Sequence, residues 1–181
     1  MADTTTAFGI GDTVPAFTLT DTEGTVHEVP AAEAPAATVL LETCNHCPYV
    51  VAWNPRLRAV AEDYAPRGVR FLAISSNDPV RYPADSPERM AQFVRDQDWP
   101  IPYAFDESQD VARALGAERT PHVFVLDSDQ RLAYRGAPDS DHQDPSRNAA
   151  WLRAALDDVL AGREVGRPET PARGCSVKWR D

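Results

Sequence analysis

Cys44 and Cys47 stand two residues apart, with His46 between them and Pro48 directly after. Two thiols at this spacing can cycle through a disulfide, reduce a peroxide, or supply half of a zinc site. An apolar run of strand length, residues 37–42, leads into the pair, and apolar residues at helical spacing follow it. We therefore expect the pair at the carboxyl end of a strand and the N-terminus of a helix, where the sites of α/β proteins collect.

The expected position gives the two thiols different roles. Cys44 is expected at or just before the first helical turn, where the positive end of the helix dipole stabilises a thiolate. Cys47 is expected one turn inside, more buried and with a higher pKa, so Cys44 attacks a disulfide and Cys47 resolves the mixed disulfide. His46, if protonated or donating a hydrogen bond, further stabilises the Cys44 thiolate. We therefore expect a midpoint potential above the roughly −270 mV of thioredoxin. Pro48 suits an early helical position, since no N–H is needed there.

The elements that position the pair follow the order β-hairpin, β, α, β, α, α, β, β, α. Strands alternating with helices imply an α/β sandwich with a mixed sheet. At 181 residues the chain suits one domain, and we expect a domain over residues 1–165 with a C-terminal tail, residues 166–181, packed on it. The predicted hairpins cover residues 17–29 and 121–136, the single strands residues 37–42 and 68–76, and the helices residues 48–65, 85–97 (capped by Asp85 or Ser86), 108–117 and 148–162.

The acidic composition disfavours some classes of partner. The net charge of −10 repels nucleic acid and anionic membranes, so neither is expected to bind. No apolar run reaches the length of a membrane span, and the first residues lack the basic start and apolar segment of a secretory signal. We expect a cytoplasmic protein, and in that reducing compartment three cysteines are not a structural disulfide framework.

Several segments together resemble the thioredoxin superfamily and, within it, the redoxin branch related to alkyl hydroperoxide reductase/thiol-specific antioxidant proteins. The resemblance is to a peroxiredoxin-like subgroup, extends over roughly residues 11–179, and is carried by the segments GDTVPAFTLTDTEGTVHEV, CNHCPYV, NDPVRYPADSPERM, FDESQDVARALGAERTPHVFVLD, YRGAPD and GCSVKW. It implies a thioredoxin fold of the α/β class, with an N-terminal β-hairpin extension and a mixed central sheet flanked by helices.

The resemblance also implies roles for individual residues. Cys44 is the nucleophile, Cys47 its partner, and Pro121 a cis proline after Thr120. A cis proline just before a strand would bring a backbone edge against the cysteines and offer hydrogen bonds to a substrate peptide. From the residues alone trans is the expected isomer, since only about 5–6% of X–Pro bonds in folded proteins are cis.

Two departures from the family pattern concern polar groups near the cysteines. Peroxiredoxins carry a Thr or Ser three residues before the peroxidatic cysteine, but Leu41 stands there, which weakens the peroxidase hypothesis. Thioredoxin carries a buried acid in the strand before its cysteines, and Thr38 occupies the matching place. Glu42 is nearer but aligns with an exposed position, so no general base is assigned.

Cys175, in the segment GCSVKW, is the odd cysteine. It could resolve a sulfenic acid on Cys44, pair with another chain, or remain a packed or free thiol. Trp179 beside it is expected to anchor the tail. The acidic loop from Asp139 to Asp144 matches no closed cation motif and is expected to be solvated.

Three functions remain open. The favoured one is a thiol–disulfide oxidoreductase that cycles Cys44 and Cys47, with a disulfide-bearing protein or a small thiol as substrate and a thiol donor such as thioredoxin or glutathione. The alternatives are a thiol peroxidase and a non-enzymatic protein whose cysteines, with a histidine, hold zinc or copper(I). We expect no cofactor and no metal, and a monomer or homodimer. The direction of electron flow stays open, since a reducing cytoplasm favours a reductant and His46 favours an oxidant.

Overall fold

The computed structural model describes residues 7–181, so the first six residues of the predicted domain lie outside the described part. The strands are β1 (Phe17–Thr20), β2 (Val26–Val29), β3 (Ala37–Glu42), β4 (Val69–Ser75), β5 (Tyr103–Phe105), β6 (Arg119–Thr120), β7 (His122–Leu126), β8 (Leu132–Gly136) and β9 (Cys175–Ser176). The helices are α1 (Pro48–Tyr64), α2 (Pro87–Asp96), α3 (Asp110–Leu115) and α4 (Ala150–Leu160).

A five-stranded mixed sheet forms the centre, in the order β5-β4-β3-β7-β8. β3 runs parallel to β4 and antiparallel to β7, so it is the central strand, and all six of its residues are buried. This sheet and its flanking helices are the thioredoxin fold that the sequence predicted.

Both faces of the sheet are covered, which explains why β3 reads as a continuous apolar run rather than an alternating one. Val39 and Leu41 face a core shared with Trp53 and Leu57 of α1 and with side chains of α2 and α4. Leu40 faces the opposite core, built with α3, the N-terminal segment and the tail. The last residue of β3 therefore lies deep inside the molecule, directly before the cysteines.

The N-terminal hairpin is confirmed, with β1 and β2 antiparallel. Asp21 Oδ1 accepts hydrogen bonds from the N–H groups of Glu23 and Thr25, each at 2.9 Å, and closes the turn. Gly24 adopts a positive φ of 85°, a conformation that suits glycine.

Three short strands were missed. β5 has only three residues, and β6 and β9 have two each, too few for a periodic pattern. Ser86, rather than Asp85, caps α2, because its side chain accepts the N–H of Arg89 at 3.3 Å. In residues 7–181 no helix combines the length and the apolar character that crossing a membrane requires.

Candidate redox site

The cysteine pair lies in the connection between β3 and α1. Cys47 is the N-cap of α1, with extended backbone angles, and Pro48 is the first helical residue. Cys44 stands three residues before the cap, in a non-helical segment. The expectation that Cys47 lies one turn inside the helix is therefore wrong, because the helix begins only at Pro48.

Both sulfurs are buried against the segment that precedes β7. Cys44 is 3% exposed and Cys47 is 0% exposed. Cys44 Sγ lies 3.5 Å from Thr120 Oγ1, and the Cys47 thiol donates to the carbonyl oxygen of Thr120 at 3.2 Å. The Thr120–Pro121 peptide bond is cis, the isomer that the resemblance implied. The structure thus brings the four residues Cys44, Cys47, Thr120 and Pro121 together.

The acidities of the two thiols are reversed from the expected order. The pKa of Cys47 is lowered to about 4, mainly by a hydrogen bond from Cys44, with burial opposing and with Cys175 and the backbone N–H of Val50 assisting. The pKa of Cys44 is raised, first by the hydrogen bond to Cys47, then by burial and the negative charge of Asp85. The hydrogen bond between the thiols is the first cause in both residues, and the N-cap position adds to it by placing Cys47 where the free N–H groups of the helix point.

Asp85 organises the residues between the two cysteines. It is fully buried and accepts the backbone N–H of Asn45 at 2.7 Å on Oδ1 and the Asn77 amide at 2.8 Å on Oδ2. The Asn45 side chain donates to the carbonyl of Ala84 at 2.9 Å and accepts the hydroxyl of Tyr103 at 2.9 Å. These bonds hold the segment between β3 and α1 in its non-helical path.

His46 is also fixed by Asp85. Its Nδ1 lies 2.7 Å from Asp85 Oδ2, and its side chain is 35% exposed. A carboxylate can only accept, so Nδ1 carries the proton and Nε2 of a neutral imidazole is the free acceptor. The ring also stacks on Tyr82, with centroids 6.0 Å apart. His46 is therefore held beside Cys44 with one nitrogen available for proton exchange.

Cys44, His46 and Asp85 offer potential metal-ligand atoms within 4.8 Å of one another. Both Asp85 oxygens already accept hydrogen bonds from protein donors. A metal ion bound through His46 Nδ1 would have to displace the bond to Asp85 Oδ2. We therefore interpret the group as a hydrogen-bonded network that surrounds a thiol.

Glu42 corrects another expectation. The sequence alignment placed it at an exposed position, but it is only 1% exposed because β3 is covered on both faces. Neither of its carboxyl oxygens has a hydrogen-bond partner. Burial, together with the negative charge of Asp106, raises its pKa well above the usual range. Burial therefore favours the protonated form of this group. Thr38, assigned to the place of the buried acid of thioredoxin, is also buried, and its hydroxyl has no partner.

Cys175 reaches the site from the other end of the chain. Its Sγ lies 2.9 Å from that of Cys47, so its contact is with the second cysteine rather than with Cys44. β9 pairs with β6, which sets Cys175 opposite Thr120. Trp179 packs into the second core, with the Arg113 guanidinium 4.4 Å from its ring centre, in the place expected of an anchor.

The acidic loop is only partly solvated. Asp139 is 1% exposed, and its carboxylate forms an ion pair with Arg56 at 2.7 Å. It also accepts the indole N–H of Trp53 and the backbone N–H of Ala149, each at 2.9 Å. The expectation of a solvated loop is wrong for this residue, because the loop folds over α1 and the start of α4, whereas Asp144 is only partly buried.

Asp85, Asn77 and Tyr103 were missed as site residues by the sequence analysis. Asp85 lies beside a helix start, so the sequence predicted for it only the role of a helix cap. In the structure Ser86 has that role. Asn77 follows β4, at the same edge of the sheet as the cysteines, which is a position that collects site residues. Tyr103 lies in β5, the short strand that was also missed.

Comparison with known proteins agrees with this geometry. The sequence profile of the AhpC/TSA family matches residues 10–135. No curated protein matches the chain. An uncharacterized conserved protein of Geobacillus kaustophilus has a solved structure that is 40% identical in sequence, with a TM-score of 0.88, and the match covers 97% of this chain and 94% of that one.

Two more distant structures share the fold. The peroxidoxin BcpB of Mycobacterium tuberculosis is 22% identical with a TM-score of 0.62, over 86% of this chain and 97% of that one. A protein of Chlorobium tepidum described as a thiol:disulfide interchange protein, DsbE, is 18% identical with a TM-score of 0.69, over 85% and 99%. At these identities the likeness concerns the fold.

Proposed function

The chain belongs to the AhpC/TSA family of thioredoxin-like redox proteins, and on that premise we propose that it is a thiol–disulfide oxidoreductase that cycles Cys44 and Cys47. The observation that carries the proposal is that both sulfurs lie beside the start of α1 and against Thr120, which precedes a cis proline: Cys44 Sγ is 3.5 Å from Thr120 Oγ1, and the Cys47 thiol donates to the Thr120 carbonyl at 3.2 Å. The pKa of Cys44 is raised and that of Cys47 is lowered. Such a pair loses its first proton easily and shares the second. One sulfur can therefore attack while the other keeps the proton.

The reaction begins when the shared proton moves from Cys44 to Cys47. The Cys44 thiolate attacks one sulfur of a substrate disulfide, a new sulfur–sulfur bond forms, and the other substrate sulfur leaves as a thiolate. Cys47 then loses its proton and attacks the Cys44 sulfur, which releases the second substrate thiolate. The substrate gains two electrons, and the protein is left with a Cys44–Cys47 disulfide.

The surrounding residues have positioning roles in this scheme. The Thr120 hydroxyl, 3.5 Å from Cys44 Sγ, and the edge that ends at Pro121 flank the reacting sulfurs. Asp85 orients His46, whose free Nε2 can accept a proton released from the pair. Pro48 begins α1 and sets the N-terminus on which Cys47 lies.

The partners proposed are those that thiol exchange requires. The substrate is a disulfide-bearing protein or a small thiol compound, and a thiol donor such as thioredoxin or glutathione returns the pair to the dithiol. Stabilisation of the Cys47 thiolate favours the reduced form. The midpoint potential is therefore expected above the roughly −270 mV of thioredoxin.

One observation favours a second candidate, a thiol peroxidase. The hydroxyl missing three residues before Cys44 has a spatial substitute in Thr120 Oγ1. In this scheme the Cys44 thiolate attacks a hydroperoxide, becomes a sulfenic acid and releases an alcohol or water. Cys47 then attacks the sulfenic sulfur, which gives the disulfide and a water molecule.

Redox titration in glutathione buffers, with mass mapping of each disulfide, tests the proposal. A single two-electron transition that joins Cys44 to Cys47, together with insulin reduction that is lost in Cys44→Ser and Cys47→Ser, is the expected result. Rapid consumption of hydroperoxide through a Cys44 sulfenic acid, without insulin reduction, would favour the peroxidase. Absence of any Cys44–Cys47 bond across the titration would refute both schemes.

A further inference from the structure

The C-terminal tail crosses the site and brings a third sulfur to it. Cys175 Sγ lies 2.9 Å from Cys47 Sγ, although the two residues are 128 positions apart in the sequence. β9 pairs antiparallel with β6, so Cys175 faces Thr120 from the edge that the sequence analysis assigned to a substrate peptide. The protein's own tail therefore occupies that edge, with a cysteine at the position nearest the pair.

Gly174 makes this approach possible. A Cβ at this residue would lie 2.0 Å from the carbonyl oxygen of Thr120, a separation that real structures do not tolerate, and its φ of +155° is one that other residues rarely adopt. A larger residue here would have to move either the tail or β6. Glycine thus allows the two backbones to lie close enough for the Cys175 and Cys47 sulfurs to touch.

Buried polar side chains hold the tail beyond Cys175. The backbone N–H of Lys178 donates to the Asn77 side chain at 2.8 Å, and its carbonyl accepts the Gln109 amide at 3.0 Å. Gln109 also accepts the N–H of Arg180 at 2.9 Å, and Val177 is buried. Asn77 is the same residue that donates to Asp85, so the tail and the cysteine segment share one network.

We propose that Cys175 is a third redox cysteine, which takes over the disulfide first formed between Cys44 and Cys47; this inference rests on the proposed function. The Cys175 sulfur, after losing its proton to solvent, attacks the Cys47 sulfur. The Cys47–Cys175 bond forms and the Cys44–Cys47 bond breaks. Cys44 leaves with the electron pair and takes up one proton. Two cysteines are oxidised before and after, so the step needs no oxidant or reductant.

The charges around Cys175 suit an exchange that follows oxidation of the pair. In the reduced protein, burial and then the hydrogen bond and negative charge of Cys47 raise the pKa of Cys175 to about 11. When Cys47 is bound to Cys44 in a disulfide, that negative charge is gone. The positive charges of Lys178 and Arg119, which lower the pKa of Cys175, remain. Oxidation of the pair thus makes Cys175 a better nucleophile.

The exchange moves the disulfide towards the surface. Cys44 and Cys47 are buried, whereas Cys175 is partly exposed. A donor thiolate that attacks the Cys175 sulfur releases Cys47 as a thiolate and forms a mixed disulfide with Cys175. A second donor thiolate then attacks the donor sulfur of that bond, which frees Cys175. Two donor thiols are oxidised to one disulfide, and the protein regains three thiols.

A groove beside the tail fits a small anionic donor. It has a volume of about 470 Å³, borders Gly174, and contains Arg119 and Arg173 as well as the acidic Asp141. On a chain of net charge −10, two arginines near the partly exposed cysteine form a local site for a carboxylate-bearing thiol. Glutathione is therefore the probe with which we would test the exchange.

The test is to oxidise the full-length protein with glutathione disulfide, trap it by alkylation and map the disulfides. Wild type is expected to contain both Cys44–Cys47 and Cys47–Cys175 bonds, Cys44→Ser only the second, and Cys175→Ser only the first. The inference is wrong if the Cys47–Cys175 bond forms neither in wild type nor in Cys44→Ser. The proposed function still stands in that case, provided that wild type and Cys175→Ser form the Cys44–Cys47 bond. If neither wild type nor Cys175→Ser forms the Cys44–Cys47 bond, both are wrong.

A glycine substitution tests whether the docked tail is what brings the Cys47 and Cys175 sulfurs into reacting contact. In the Cys44→Ser background, Gly174→Ala is expected to slow formation of the Cys47–Cys175 bond roughly tenfold or more, because an ångström of displacement is enough to disrupt a reacting pair. Gly162→Ala is the matched control, since Gly162 also has a positive φ but has open space around its Cβ position. Equal rates in the two variants would overturn the role assigned to the tail.

Discussion

Asp139 and Asp85 are buried to the same degree, but the protein compensates their carboxylates by different means. Asp139 faces a permanent cation, the guanidinium of Arg56 at 2.7 Å, and also accepts the Trp53 indole N–H. Asp85 accepts two neutral amide donors and the ring N–H of His46. The first carboxylate joins α1 to the loop before α4, and the second holds the segment between the two cysteines.

The difference shows how one residue type serves structure in one place and reactivity in another. The Arg56 partner of Asp139 keeps its charge at any physiological pH, so the pair acts as a fixed link between elements. The Asp85 network leaves a negative charge near Cys44, where it raises the pKa of the thiol. A carboxylate beside a titratable partner can therefore tune a neighbouring group, whereas one beside arginine is already compensated.

Glu42 completes the comparison as a buried carboxyl group without any partner. With neither a cation nor an amide donor, its free energy is lowest in the protonated form, so its pKa is raised. The carboxyl groups of Asp139, Asp85 and Glu42 thus form a series, from one whose charge is balanced by a cation to one that has no compensating partner. The substitutions that follow alter one member of this series or the partner of a member.

The largest effect is expected for Asp139→Ala. The substitution leaves Arg56 as a buried charge without a carboxylate to balance it, which costs about 3–5 kcal/mol of unfolding free energy. Urea unfolding measures the loss, and Asp129→Ala, at an exposed turn position, is the control. Because Asp139 contacts neither thiol, the midpoint potential of the folded variant should match that of wild type. A loss below about 1 kcal/mol would contradict the structural role.

Glu42→Gln is expected to change how stability depends on pH. A raised pKa in the folded protein means that the unfolded chain releases this proton first. The free energy of unfolding therefore falls as pH rises from the ordinary value of 4.5 towards the folded pKa. The slope is at most about 1.4 kcal/mol per pH unit for one proton.

Urea unfolding at a series of pH values measures the Glu42→Gln effect as the difference from wild type. The variant should lose this part of the slope, whereas Glu118→Gln, at an exposed position, should keep it. Parallel curves for wild type and Glu42→Gln would show that Glu42 ionises normally in the folded protein.

Asp85→Asn is expected to have a moderate effect on stability and a distinct effect on the thiols. Loss of charge-assisted hydrogen bonds should cost about 1–2 kcal/mol. Removing the negative charge should lower the pKa of Cys44, since that charge is one of its causes. Thiolate absorbance followed against pH in a Cys47→Ser/Cys175→Ser background isolates the Cys44 titration. An unchanged or raised Cys44 pKa would argue against the charge effect.

The smallest effect on stability is expected for His46→Gln. The His46–Asp85 pair is partly exposed, so its loss should cost less than about 1 kcal/mol. The rate at which Cys44 reacts with an alkylating agent should change instead, because the proton acceptor beside it is lost. A double-mutant cycle with Asp85→Asn measures the coupling, expected at about 0.5 kcal/mol or more. Strictly additive effects would show that His46 and Asp85 do not act as a coupled pair.

Much of the fold was accessible from local patterns. β3 was predicted with its observed bounds, and α1, α2, α4 and the two hairpins lie where spacing and turn residues placed them. These elements are long enough for a period or a cap to be read from neighbouring residues. The strands β5, β6 and β9 were missed because two or three residues carry no period, and their pairing depends on strands distant in the sequence.

The amino-acid sequence by itself determined that two thiols stand between a buried strand and a helix, because each element has a hydrophobic pattern that neighbouring residues show. The tertiary structure alone decided which sulfur lies at the helix cap, that Asp85 meets Asn45 across 40 residues, and that Cys175 reaches Cys47 across 128. A pKa depends on burial and on the groups that lie nearby. Those neighbours are set by the path of the whole chain, and no local spacing encodes them.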